Sequence, residues 1–122
     1  MATIELHESE FESSVTQQGV ALVDFWAEWC GPCRAFGPIF EKSSEKHPDI
    51  RFYKVDTEAE QSLAGRAGIT SIPTLMIFRD GILLYNRPGA LPEPALEDII
   101  SQVQKLDMDA VRAEIAQGES AQ

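Results

Sequence analysis

Trp29-Cys30-Gly31-Pro32-Cys33 (WCGPC) holds both cysteines of the 122-residue chain, separated by two residues. Immediately before it, Val20-Ala21-Leu22-Val23-Asp24-Phe25-Trp26-Ala27 is β-branched and aromatic with little alternation. That is the pattern of a central strand covered on both faces. After it, Phe36, Ile39 and Phe40 recur at helical spacing, so a helix should run to about His47 and stop before Pro48. Pro38, inside that helix, removes one hydrogen bond and should produce a kink. The cysteine pair therefore sits where a buried strand hands over to a helix.

Working outward, Thr3 to Leu6 alternates as a short edge strand does, and Glu8 to Gln17 places Phe11 and Val15 on one helical face. Arg51 to Val55 predicts a strand, and Glu60 to Ala67 a short helix closed by Gly68. Thr74 to Phe78 and Ile82 to Tyr85 flank Arg79-Asp80-Gly81, a strong hairpin signal. Pro92-Glu93-Pro94 opens a helix whose Leu96, Ile99, Ile100 and Val103 share a face. Early alternation of strand and helix, followed by a hairpin and a helix, predicts an α/β fold with a mixed sheet and helices on both faces. Beyond Lys105, Met108, Val111 and Ile115 share a further helical face, so a packed helical extension ending near Gly118 is expected. A frayed tail or a partner-binding element are the alternatives for that segment.

A net charge of −10 argues against non-specific nucleic-acid binding and against attraction to anionic membranes. No apolar run approaches the roughly 18 residues that a transmembrane helix needs. The first five residues carry no basic region and no apolar segment follows them, which predicts a cytoplasmic protein.

Two neighbouring cysteines could form a metal clip, a structural staple or a redox couple. A structural zinc site wants four ligands, and beyond the cysteines only His7 and His47 remain, too far apart for an H-x3-5-H pair. Chain-entropy reasoning gives a four-residue disulfide loop about 2 kcal/mol, against about 4.7 for a hundred-residue loop, so the staple is weak. Redox chemistry suits the surroundings best. Cys30 would lie at a helix N-terminus, where backbone N–H groups and the helix dipole favour a thiolate. Pro32 suits a first helical turn, and Cys33 would be one turn inside, able to attack a disulfide formed at Cys30.

Asp24-Phe25-Trp26-Ala27-Glu28-Trp29-Cys30-Gly31-Pro32-Cys33, followed by Pro38, Lys54, Ile72-Pro73-Thr74 and Gly89-Ala90, closely resembles the thioredoxin family over roughly residues 3–106. The resemblance implies a thioredoxin domain over 1–106, built on a central mixed five-stranded sheet, with 107–122 as an extension. It implies a general protein disulfide reductase in which Cys30 is the nucleophile and Cys33 resolves, with Gly31 and Pro32 forming the active-site loop. Asp24, a carboxylate in an apolar strand, should be buried with a raised pKa and assist proton transfer at Cys33; Lys54 matches the lysine that interacts with it. Ile72-Pro73 matches the family's cis-proline bond. Trp29, Ile72, Pro73, Gly89 and Ala90 would form the substrate-docking surface, with Trp26 left to packing. Pro88 departs from the β-branched residue common at its position, and should stiffen the groove edge.

The expected partners are thioredoxin reductase and disulfide-containing proteins, and the chain is expected to act as a monomer. No bound cofactor is expected, since Gly65-Arg66-Ala67-Gly68 does not fit a dinucleotide fingerprint; NADPH would enter only through the reductase. Lowering a thiol pKa from about 8.5 to the family's value near 7 raises the thiolate fraction roughly 16-fold and cuts intrinsic nucleophilicity about 5-fold. The net gain is only about 3-fold, so substrate positioning must supply much of the rate. Rival readings are an oxidase or isomerase, which Gly31-Pro32 disfavours, and a redox-independent binding module using the apolar groove.

Overall fold

The structure is a computed structural model that describes residues 2–120, with side chains over 2–118. Val20–Trp26 forms β2, and its residues are buried almost without interruption, as an unalternating apolar run requires. It lies at the centre of a five-stranded sheet of order β1-β3-β2-β4-β5, in which β1 is Thr3–Glu5, β3 Arg51–Asp56, β4 Thr74–Arg79 and β5 Ile82–Pro88. Strands β1 and β2 run parallel to β3, whereas β4 is antiparallel to both β2 and β5. The sheet is thus mixed, as expected.

The two faces of β2 feed two cores. Leu22 packs with Phe36 and Phe40 of α2 (Gly31–Lys46) and with Leu96, Ile100 and Val103 of α4 (Glu93–Lys105). Ala21, Val23 and Phe25 pack on the opposite side with Val15 of α1 (Glu8–Val15) and Leu63 of α3 (Gln61–Arg66). Full burial of each large apolar side chain contributes about 1.5–3 kcal/mol, so these layers fix which way every β2 residue points. Leu22 and Trp26 lie under α2, and by alternation so does Asp24 between them. Helix α2 continues through Pro38 to Lys46, with His47 at its C-cap.

The hairpin turns on Asp80 (φ 52°) and Gly81 (φ 80°), the double left-handed geometry that matches strand twist. Asp80 also ties down the start of β2, donating its N–H to the Gly19 carbonyl at 2.9 Å and accepting the Gly19 N–H at Oδ1 at 2.8 Å. Strand β5 runs three residues past the expected Tyr85, to Pro88, which pairs with Thr74. Asn86-Arg87-Pro88 carries no apolar signal because this edge strand exposes its side chains, and backbone pairing alone sustains it.

The expected extra helix is present as α5, Met108–Ser120, running two residues past Gly118. Asp107 Oδ1 accepts the N–H groups of Asp109 and Ala110, the geometry of an N-cap. Arg79 binds the closing carbonyls of α4, donating to Val103 at 2.8 Å and to Leu106 at 2.9 Å, and Arg112 of α5 reaches Asp80 at 3.8 Å. Of the predicted apolar face only Met108 is buried; Ile115 is 42% exposed, so packing is concentrated in the first turn. The last two residues of the expected tail, 121–122, lie outside the described residues.

Candidate active site

Cys30 is the N-cap of α2, with an extended backbone, and its Sγ accepts the Cys33 N–H at 3.2 Å. A cap of this kind satisfies a helix N–H that would otherwise lack a partner, and once the disulfide is reduced the helix dipole favours a thiolate at that sulfur. Pro32 occupies the first turn, where its missing N–H costs nothing. Cys30 and Cys33 are joined as a disulfide with Cα atoms 5.2 Å apart, and both are buried. They pack with Ala27 and against Trp26 and Ile72.

The sulfurs face different hollows. On the Cys30 side lies a cavity of about 440 Å³ bounded by Trp29, Gly31, Pro32 and Ile72. The Ile72–Pro73 bond is cis, and Cys30 Sγ lies 3.7 Å from the Ile72 carbonyl oxygen. Trp29 is 67% exposed, so it stands at the rim rather than in the core, and its indole N–H donates to the Glu58 carboxylate.

Gly89 and Ala90 follow β5 at the cis-proline end of the sheet. The Gly89 N–H donates to the Pro73 carbonyl at 2.8 Å, which brings this segment beside the cis proline, but neither residue lines the hollow. Its far wall comes instead from Thr57, Ala64 and Ile69. Helix α3 ends in a Schellman motif, with Gly68 at φ 72° donating to Gly65 and Ile69 donating to Ala64 at 3.0 Å. That motif folds Ile69 back toward Ala64. The sequence signal was available: a glycine after a helix, followed by an apolar residue.

On the Cys33 side, Asp24 is fully buried and neither carboxylate oxygen has a hydrogen-bond partner. Burial pushes its pKa up to about 7, against the opposing attraction of Lys54. Lys54 lies beside Asp24 in the β2–β3 register, yet the two form no ion pair; its ammonium sits 4.8 Å from the Trp26 ring centroid. Lys54 thus reaches Asp24 through its field rather than by contact. A second hollow of about 410 Å³ runs along this side, lined by Cys33, Trp26, Gly37, Glu41 and Lys54 among others.

A buried cysteine pair at a helix N-terminus, beside an apolar hollow and with a carboxyl raised to about 7 in the strand under the same helix, can exchange disulfides. Among the described residues no cluster of His, Cys, Asp or Glu could hold a metal, and no helix is long and apolar enough to cross a membrane.

Comparison with known proteins agrees with this chemistry. The thioredoxin family model matches residues 2–102. A protein named putative thioredoxin 2, from Streptomyces coelicolor, is 54% identical over 95% of this chain and 87% of its own length. Thioredoxin of Bacillus subtilis is 36% identical over 84% of this chain and 98% of its own. Among solved structures, a thioredoxin from Malassezia sympodialis superposes with a TM-score of 0.74 at 32% identity, covering 84% of this chain and 93% of that one.

Proposed function

Because the chain belongs to the thioredoxin family, and is thereby a protein disulfide oxidoreductase, we propose that it works as a general disulfide reductase of the cytoplasm, recycled by thioredoxin reductase. One observation carries the reading: Cys30 caps α2 with its sulfur on the hollow beside Ile72, while Cys33 sits one turn inside against the Asp24 side of the sheet.

The Cys30 thiolate attacks a substrate disulfide; that S–S bond breaks, a Cys30–substrate bond forms, and the leaving thiolate takes a proton. Cys33 then gives its proton toward the Asp24 carboxylate and attacks the Cys30 sulfur. The mixed disulfide breaks, the second substrate thiol departs, and two electrons have moved from the dithiol to the substrate. Trp29, Ile72 and the wall of Ala64 and Ile69 hold the substrate segment. The Ile72 backbone adds affinity that does not depend on substrate sequence. Gly89, bonded to the Pro73 carbonyl, and Ala90 after it extend the docking surface beside the cis proline. Residues 1–106 form the working domain, and α5 is an extension to it.

The test is coupled NADPH oxidation with a thioredoxin reductase and a model disulfide protein. Sustained oxidation that requires this chain is the expected result. Failure to accept electrons from any thioredoxin reductase would sink the recycling role.

A further inference from the structure

Cys33, Gly37 and Glu41 recur every four residues along α2 and so lie on one helical face. All three line the hollow that Lys54 and Trp26 close from the sheet. Gly37 leaves room there: a Cβ built on it would stand 3.9 Å from the Lys54 Nζ, so the ammonium lies against the turn just before Glu41. The Glu41 carboxylate is held from behind, where its Oε2 accepts the Thr3 hydroxyl at 2.6 Å. Its Oε1 is closed off from solvent and has no hydrogen-bond partner. An unpartnered buried carboxylate oxygen is costly, and a nearby ammonium offsets that cost most directly.

We propose that Glu41 is a positioning residue, which draws the Lys54 ammonium toward α2 and away from Asp24. The proposal deepens the Asp24 role above and rests on Lys54 acting on that carboxyl. The arrangement matches it. Lys54 pairs in register with Asp24 and lines the same hollow as the half-buried Glu41, is bonded to neither carboxylate, and rests over the Trp26 ring. The other charged and titratable groups facing it are Glu5, beside it on β1; Asp56, two residues along β3; and Cys33 and Arg34 on α2. Asp56 Oδ1 is occupied by the Glu58 N–H at 2.9 Å, and Glu5 is exposed, where solvent screens it. Arg34 is exposed two turns from Glu41, so among the described residues lining this hollow Lys54 is the cation that faces it.

The experiment follows the Asp24 carboxyl by 13C NMR as pH is varied, in the full chain. With Glu41→Gln, Lys54 is free to favour ionised Asp24, and the midpoint is expected to fall by about 0.5–1 pH unit. Glu41→Asp keeps the charge and should give a smaller fall. In a Lys54→Met background Glu41→Gln should change little, and Glu5→Gln should leave the midpoint in place. An unmoved midpoint in Glu41→Gln, an equal fall in Glu41→Asp, an equal fall without Lys54, or the same fall in Glu5→Gln would each overturn the proposal. The readout does not depend on whether Asp24 serves Cys33. If the midpoint moves while the rate of mixed-disulfide resolution does not, the Asp24 role fails and the Glu41–Lys54 coupling stands.

Discussion

Cys33→Ser is expected to accumulate covalent mixed disulfides with its protein substrates, visible by non-reducing electrophoresis and mass spectrometry, whereas Cys30→Ser forms none. The asymmetry comes from position. Cys30 caps α2 and faces the hollow where a substrate segment can lie, while Cys33 is one turn inside and faces the other way. Without Cys33 the first exchange still proceeds, but no thiol stands within reach to release the product. Without Cys30 the first exchange has no nucleophile. Turnover should fall by roughly 10³ or more in either variant, and the double variant should be no worse, because the two act as one unit. Equal trapping by both single variants would refute the division of roles. Full biological activity in the double variant would establish the redox-independent reading instead.

Asp24→Ala is expected to stabilise the protein in neutral and alkaline solution while slowing resolution of the mixed disulfide. Burial moves the carboxyl from its ordinary value of 3.8 up to about 7. Below the lower value the group is protonated in both folded and unfolded chains, and burial carries no ionisation cost. Between the two values the unfolded chain releases the proton and the folded chain keeps it, so stability falls as pH rises. Above about 7 both forms are ionised and the full difference applies, about 4 kcal/mol from a shift of this size. Removing the group should flatten that slope, less about 1 kcal/mol for lost packing. Urea unfolding at about pH 4 and about pH 8 checks it: the two proteins should differ little in acid and by about 2–4 kcal/mol in base. A constant difference across that range would mean Asp24 is not held by burial. The resolving step should slow roughly 10-fold or more at neutral pH, since the variant lacks the nearby proton acceptor.

The architecture was legible wherever burial writes a periodic pattern. Val20–Trp26 reads as a two-faced strand because both faces are covered, and Asp24 is conspicuous in it for the same reason. WCGPC placed its cysteines on α2 because a strand-to-helix junction and a proline in the first turn leave little freedom. The end of β5 was not legible, since an exposed edge needs only backbone pairing. Nor was the wall of the Cys30 hollow. Gly68-Ile69 carried the signal of a helix-closing turn, but Thr57 and Ala64 acquire a role only when the end of β3 and helix α3 bring them to the hollow beside Trp29. Glu58 and Glu41 were missed on similar grounds: a carboxylate twenty or more residues from its partner reads as a solvated surface charge until the fold closes the distance.

The reduction potential of the Cys30–Cys33 couple, measured by equilibration with glutathione and then with a dithiol buffer, is the most direct test of the reductase direction. A member of this family that donates electrons to protein disulfides should lie near the value of about −270 mV characteristic of thioredoxin. A potential near about −120 mV, that of a strong disulfide donor, would contradict it and assign the chain to oxidation.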